Sequence, residues 1–244
     1  MTETSVTLVT GAASGIGRVT AEHLASIGHH VVLTDLASDA LNDAAVTVGA
    51  PAVAADVTSE SDVDALAARI EAEHGRLDGV VHCAGIEEAF VDADQMPLAV
   101  FERTMRVNVT GSFLVSRAAA RLMIPQNFGS IVLLGSILST VGYGGNAAYT
   151  ASKGAVLQLG KALAVDWAKH GIRVNVVGPG PVATPMSQAS IDDPERGKWL
   201  LERIPLGRPA HALDIARVCA FLLSDDAGYM TGTYIPVDGG WLAL

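Results

Sequence analysis

The chain has 244 residues, half of them hydrophobic and 5% aromatic, with a formal charge of −10. An acidic chain with no Lys/Arg cluster argues against nucleic acid and anionic membrane as partners. Cys83 and Cys219 lack framework spacing, no basic-then-apolar leader precedes the first strand, and no apolar run nears ~18 residues, so a reduced cytoplasmic setting is expected, without secretion or a membrane span.

Composition is continuous over 1–244, which predicts one α/β domain with ample core. Val6–Thr10 reads as an apolar strand, followed by a Gly-rich turn and a helix to about Ile27. Val31–Thr34 and Ala52–Ala55 are the second and third strands. Ser59–His74 is a helix, since Val63, Leu66, Ala67 and Ile70 recur at i, i+3, i+4, i+7, and Ser59-x-x-Asp62 resembles a capping box. A fourth strand begins at Gly79–Val81 and a fifth is Ile131–Leu134. Between them lies a long helical stretch, Leu98–Met123, interrupted near Val109–Gly111. A helix over 147–168, a strand at Arg173–Val177, a helix at His211–Leu223 with Ile215, Val218, Cys219 and Leu222 inward, and a strand at Tyr234–Val237 complete the chain. Repeated βαβ units predict a doubly wound parallel sheet of the Rossmann type, about seven strands flanked by helices. Gly178–Gly207 is the least regular segment, and 181–207 reads as a lid over the strands' carboxyl ends, where such sheets bind ligands.

Chemistry concentrates in a few places. Thr10-Gly11-Ala12-Ala13-Ser14-Gly15-Ile16-Gly17 places three glycines between a strand and a helix. They permit a tight turn and close approach of backbone to a dinucleotide pyrophosphate, which a helix N-terminus attracts. The competing reading, an ordinary Gly-rich turn, is weak in this context. Asp35 ends the second strand, where a carboxylate suits ribose hydroxyls and repels a 2′-phosphate, so NAD is the expected cofactor.

Tyr149 and Lys153 lie four apart and share one face of the 147–168 helix, with Ser136 thirteen residues before the tyrosine. Tyrosine titrates near ~10, and lowering it by about three units takes roughly 4 kcal/mol, much of which an adjacent ammonium can supply. A bare Y-x-x-x-K is commonly just a solvated helix face; the surrounding motifs raise it above that.

With these motifs in view the whole chain resembles the short-chain dehydrogenase/reductase family. Thr10–Gly17 matches that family's glycine motif, and Asp56-Val57 the pair that contacts adenine. Cys83-Ala84-Gly85 matches its Asn-Ala-Gly motif except for the cysteine, which puts a structural detail in doubt. Arg173-Val174-Asn175 and Pro179-Gly180 match the segment after strand six, with Val182 and Thr184 at positions that hold the nicotinamide carboxamide. The resemblance implies hydride transfer between an alcohol carbon and a nicotinamide, with Tyr149 as acid–base, Lys153 lowering its pKa and binding ribose, Ser136 on the substrate oxygen, and Asn108 placing a water. It also implies a homotetramer through 98–123 and 147–168, with a second contact near 211–244.

Ile137, Leu138, Tyr143, Asn146, Pro181, Met186 and Trp199 are the expected pocket wall, with Glu87 or Glu88 as a reader of polar substrate. Polyol or sugar-type alcohols come slightly ahead of apolar ketones and hydroxysteroids, and a non-catalytic dinucleotide-binding protein is the remote alternative. No histidine pattern suggests a metal, and His82 reads as a core or strand-end residue.

Overall fold

Strands covered on both faces need apolar residues at successive positions. That requirement organises the computed structural model, which describes residues 4–88 and 90–244. Among the described residues seven strands form one sheet: β1 (Val6–Thr10), β2 (His30–Asp35), β3 (Ala52–Ala54), β4 (Gly79–His82), β5 (Gly129–Leu134), β6 (Ile172–Pro179) and β7 (Tyr234–Val237). Their order is β3-β2-β1-β4-β5-β6-β7 and every pairing is parallel. The helices are α1 (Gly15–Ser26), α2 (Asp39–Val48), α3 (Glu60–His74), α4 (Leu98–Met105), α5 (Gly111–Gln126), α6 (Ala147–Trp167), α7 (Gln188–Asp192), α8 (Pro194–Glu202) and α9 (Ala212–Leu223).

The two-residue period of a strand divides the core. Leu8, Val32, Val80, Ile131, Leu133 and Val176 face one way, against α3, α5 and α6. Val9, Leu33, Val81, Val132 and Val177 face the other way, against α1, α2 and α9. The result is a doubly wound sheet. Strand order reverses at β1, which lies between β2 and β4, and a crevice opens there at the carboxyl ends.

Four local features refine or depart from the sequence reading. Helix α2 is short and buries only Leu41 and Ala44, too narrow a stripe for periodicity to reveal. Its ends are capped: Ser38 accepts a hydrogen bond from the Leu41 N–H at 3.2 Å, and Gly49 closes the helix at φ 67°. Ser59 caps α3 by accepting from Asp62 N, but Asp62 reaches back to the Asp56 N–H at 3.1 Å instead of to Ser59 N, so the box is stretched across a turn. The interruption expected near 109–111 is a single π-turn over Arg106–Thr110, joining α4 to α5. The segment read as irregular carries α7 and α8, the latter with Asp193 as N-cap and Pro194 in its first turn.

Leu24 is fully buried between α1 and the sheet, while Val46 on α2 is 83% exposed. Leu24→Ala should lower the unfolding free energy by about 3 kcal/mol. Val46→Ala should stay within about 0.5 kcal/mol. Urea unfolding at one fixed protein concentration measures both.

Candidate active site

The strand β1 delivers the chain into its glycine turn at the reversal point. Gly11 has φ 65°, and a Cβ there would sit 2.8 Å from Ala84 N. A Cβ on Gly17 would overlap the Gly11 carbonyl oxygen. Both positions therefore admit only glycine. Ser14 precedes α1 without a side-chain cap, which leaves the first N–H groups of that helix open to an anion. Asp35 holds its carboxylate at the end of β2 by accepting from Ala13 N at 3.0 Å and Leu36 N at 2.7 Å. Thr184 packs beside Gly15 from across the crevice. An unobstructed helix N-terminus, a carboxylate at the β2 edge and a floor of glycines fit a dinucleotide.

A cavity of about 650 Å³ runs from this turn across the carboxyl ends. Gly11, Ser14, Gly15, Ile16 and Gly17 line it, as do Asp35, Asp56 and Val57. Ala84, Gly85, Pro179, Gly180, Val182 and Thr184 complete that half of the wall. Ser136, Tyr149 and Lys153 line the same cavity.

Ser136 follows β5 and its hydroxyl accepts from Leu138 N at 3.2 Å, capping a short turn. Ser139 Oγ accepts from Ser136 N at 3.2 Å and donates to the Lys153 carbonyl at 2.9 Å, tying this turn to α6. Tyr234, from β7, donates its hydroxyl to the Ser136 carbonyl at 2.8 Å. Nothing in the sequence pattern marked Tyr234, because the contact spans 98 residues.

Lys153 is 6% exposed and donates Nζ to the Leu134 carbonyl at 2.7 Å. Burial lowers its pKa to about 8, against the opposing pull of Cys83 and Glu87. Its Nζ lies 5.5 Å from the centre of the Tyr149 ring. The sequence reading has Lys153 drawing the phenol down. In this chain the phenol is pushed up: burial dominates, the Glu87 charge adds to it, and a hydrogen bond with Ser136 only partly opposes. The ammonium is committed to Leu134, so desolvation wins.

Asn108 lies behind the wall rather than in it, 1% exposed at the π-turn. It clamps Ile86, donating to its carbonyl at 2.9 Å and accepting from its N–H at 2.8 Å. It also donates to Ser152 Oγ at 2.9 Å. Both amide hydrogens are thus used within the chain. His82 is buried, pairs with Thr10 Oγ1 at 2.9 Å, and is held neutral by a burial-lowered pKa of about 3. Burial likewise pushes the Cys83 thiol up to about 12.

On the substrate side, Ile137, Leu138, Tyr143, Asn146, Pro181 and Met186 line the cavity as expected. Glu87 turns in and accepts from Asn146 Nδ2 at 2.6 Å, while Glu88 turns out to pair with Arg103 at 3.4 Å. Trp199 is a correction: Arg196 and Leu200 face the cavity from α8, and Trp199, one position off that stripe, packs between Tyr143 and Trp241 with ring centres 5.6 Å away on each side. Phe90 and Trp241 are wall residues that sequence reasoning missed, since no motif spans the segments that carry them; Arg196 falls within the expected 181–207 segment, on α8, without having been singled out.

A family model described as enoyl-(acyl carrier protein) reductase matches residues 11–242. The chain belongs to the short-chain dehydrogenase/reductase family. It is 40% identical to 2-(R)-hydroxypropyl-CoM dehydrogenase of Xanthobacter autotrophicus, over 98% of this chain and 99% of that protein. It is 41% identical to galactitol 2-dehydrogenase (L-tagatose-forming) of Cereibacter sphaeroides, over 96% and 93%. A solved NAD⁺-bound xylitol dehydrogenase matches with a TM-score of 0.91 at 35% identity, over 97% and 98% of the two chains. As a family member the protein is an oxidoreductase that interconverts a secondary alcohol and a ketone with a nicotinamide dinucleotide. Among the described residues no helix is long and apolar enough to cross a membrane.

Burial and the Glu87 charge both oppose the phenolate, so Tyr149 in the ligand-free protein should remain a phenol through about pH 10. The ultraviolet difference between wild type and Tyr149→Phe should show no phenolate below that pH. A phenolate signal near neutrality would mean that Lys153 already governs the ring.

Proposed function

We propose that the protein is an NAD-dependent dehydrogenase of polyol or sugar-type secondary alcohols, cytoplasmic and homotetrameric. The observation that carries the substrate reading is Glu87. Its buried-facing carboxyl stands on the same wall as Ser136 and Tyr149, fixed by Asn146 at 2.6 Å, and can accept from a substrate hydroxyl. A simple apolar ketone has no use for such a group. The apolar reading keeps support from Ile137, Leu138 and Met186 on the same wall.

When bound, the dinucleotide supplies the hydride acceptor or donor. Gly11, Ser14, Gly15, Ile16 and Gly17 would hold its pyrophosphate, and Asp35 its adenosine ribose. Asp56 and Val57 would flank the adenine, while Ala84, Gly85, Pro179, Gly180, Val182 and Thr184 would border the nicotinamide half. In the oxidation direction, Tyr149 Oη takes the alcohol proton and Ser136 Oγ steadies the substrate oxygen. Lys153 is the cation within reach; turning its ammonium from Leu134 toward the phenol would bring Tyr149 into working range. Asn108 keeps Ile86, and so the Glu87 segment, in register with α6. Exposed Leu98, Phe101, Phe113 and Val165 on α4, α5 and α6 support the tetramer, and two free thiols support the cytoplasm.

Tyr149→Phe keeps the ring packing and removes the transferable proton. Turnover should fall below about a tenth of wild type while dinucleotide binding, followed by fluorescence titration, persists. A carboxylate facing a 2′-phosphate is repulsive, so kcat/KM should favour NAD over NADP. Asp35→Ala should narrow that preference by at least about tenfold. Equal use of both cofactors by the wild type would show that Asp35 does not set the choice.

A further inference from the structure

Arg196 differs from the other arginines around the cavity. Arg103 is paired with Glu88 at 3.4 Å, and Arg106 is exposed on the π-turn. Arg196 is half-buried, lines the cavity, and has its Nε buried with no hydrogen-bond partner among the described residues. No carboxylate of the described residues lies within 4.0 Å of it; the Glu87 charge reaches it only at longer range. Its position is nonetheless well defined. Asp193 caps α8 by accepting from Arg196 N at 2.7 Å, which orients the first turn. The guanidinium carbon sits 3.5 Å over the centre of the Phe90 ring and 5.8 Å from that of Tyr143. A guanidinium stacked on an aromatic face keeps its N–H donors in its own plane, directed away from the ring. The Nη donors at the end of this oriented fork make no hydrogen bond among the described residues and are left for an acceptor in the cavity.

We propose that Arg196 seats a carboxylate at the far end of the substrate, which makes the substrate a hydroxy acid of the aldonate type. This rests on the proposed polyol chemistry and narrows it. Two carboxylate oxygens match the paired Nη donors at the end of the fork. Asn146 and Glu87 line the same cavity as Arg196 and Tyr149 and would read hydroxyls along the substrate chain. Burial raises the pKa of the Glu87 carboxyl, against the pull of its Asn146 hydrogen bond and of the Arg196 and Lys153 charges. In the reaction the carbinol C–H leaves as hydride to the oxidised dinucleotide, the O–H proton passes to Tyr149 Oη, and a C=O bond forms. The acid group is unchanged.

Matched probes test this: gluconate against glucitol, and threonate against threitol, with NAD⁺. Wild type should favour the acid of at least one pair by about tenfold or more in kcat/KM. Arg196→Gln keeps the stem and loses the charge, so the acid-to-alditol ratio should fall by at least about 30-fold. Arg196→Lys should recover only part of it, because the fork is lost. Binding gives a second readout. Trp199 and Trp241 stand next to this wall, so gluconate or threonate should change tryptophan fluorescence with a Kd that weakens about tenfold or more in Arg196→Gln. The proposal is overturned if wild type prefers the alditols, if Arg196→Gln lowers acid and alditol alike, or if neither acid binds. If the acids bind through Arg196 yet no alcohol, cyclohexanol included, transfers hydride, the dehydrogenase reading falls while the anion seat stands. If neutral polyols are oxidised and the acids are ignored, the reverse holds.

Discussion

Lys153 carries its ammonium into one of the most desolvated parts of the cavity, and much of the surrounding architecture exists to hold it there. A buried cation needs acceptors at close range. Leu134, the last residue of β5, provides a carbonyl at 2.7 Å. Gly85 keeps the wall thin: a Cβ there would come within 3.6 Å of Nζ and 3.2 Å of Asn108 Oδ1. Helix α6 is anchored from both sides, by Ser139 through the Lys153 carbonyl and by Asn108 through Ser152. The geometry of the pair on α6 is thus a property of β4, β5 and the π-turn as much as of the helix.

The same economy joins the two halves of the cavity. Gly11 approaches the 83–84 backbone so closely that no side chain fits, and Thr10 Oγ1 accepts from Ala84 N at 3.1 Å. The end of β4 is therefore locked to the glycine turn. Two residues on, Asn108 clamps Ile86, and the next residue, Glu87, enters the substrate side. One short segment transmits the position of the dinucleotide seat to the polar wall opposite. A backbone built this tightly tolerates Cys83, whose thiol stays protonated and takes no part as a nucleophile.

Electrostatics across the site depends on burial more than on sequence proximity. Tyr149 and Lys153 are neighbours on one helix face, yet the phenol responds first to desolvation and second to Glu87, which is 62 positions away in the chain (149 − 87). Lys153 answers to a carbonyl at the end of another strand. Charge partners inside a low-dielectric cavity are chosen by distance and exposure, and neither is visible in a linear spacing.

The parallel sheet, most of its strands, a break in the long helical stretch, the glycine turn and the Ser136–Tyr149–Lys153 grouping were legible in the sequence. Each is a local pattern: a period of two or 3.6 residues, a glycine where only glycine fits, or two side chains one helical turn apart. Helix α2 escaped because its buried stripe is two residues wide, and α7 and α8 because their Pro- and Gly-rich setting resembles loop. What only the tertiary structure decided is where side chains from distant loops converge. Glu87 turns in and Glu88 out because Asn146 and Arg103 await them on different elements. Arg196 takes the wall place expected of Trp199 because the rotation of α8 is set by its N-cap and its packing on Phe90 and Tyr143. The sequence by itself determined the fold and which residue types line the reacting centre, because these follow local geometry; the electrostatics of that centre followed burial. The substrate wall was decided by long-range packing, because its residues share no element and no period.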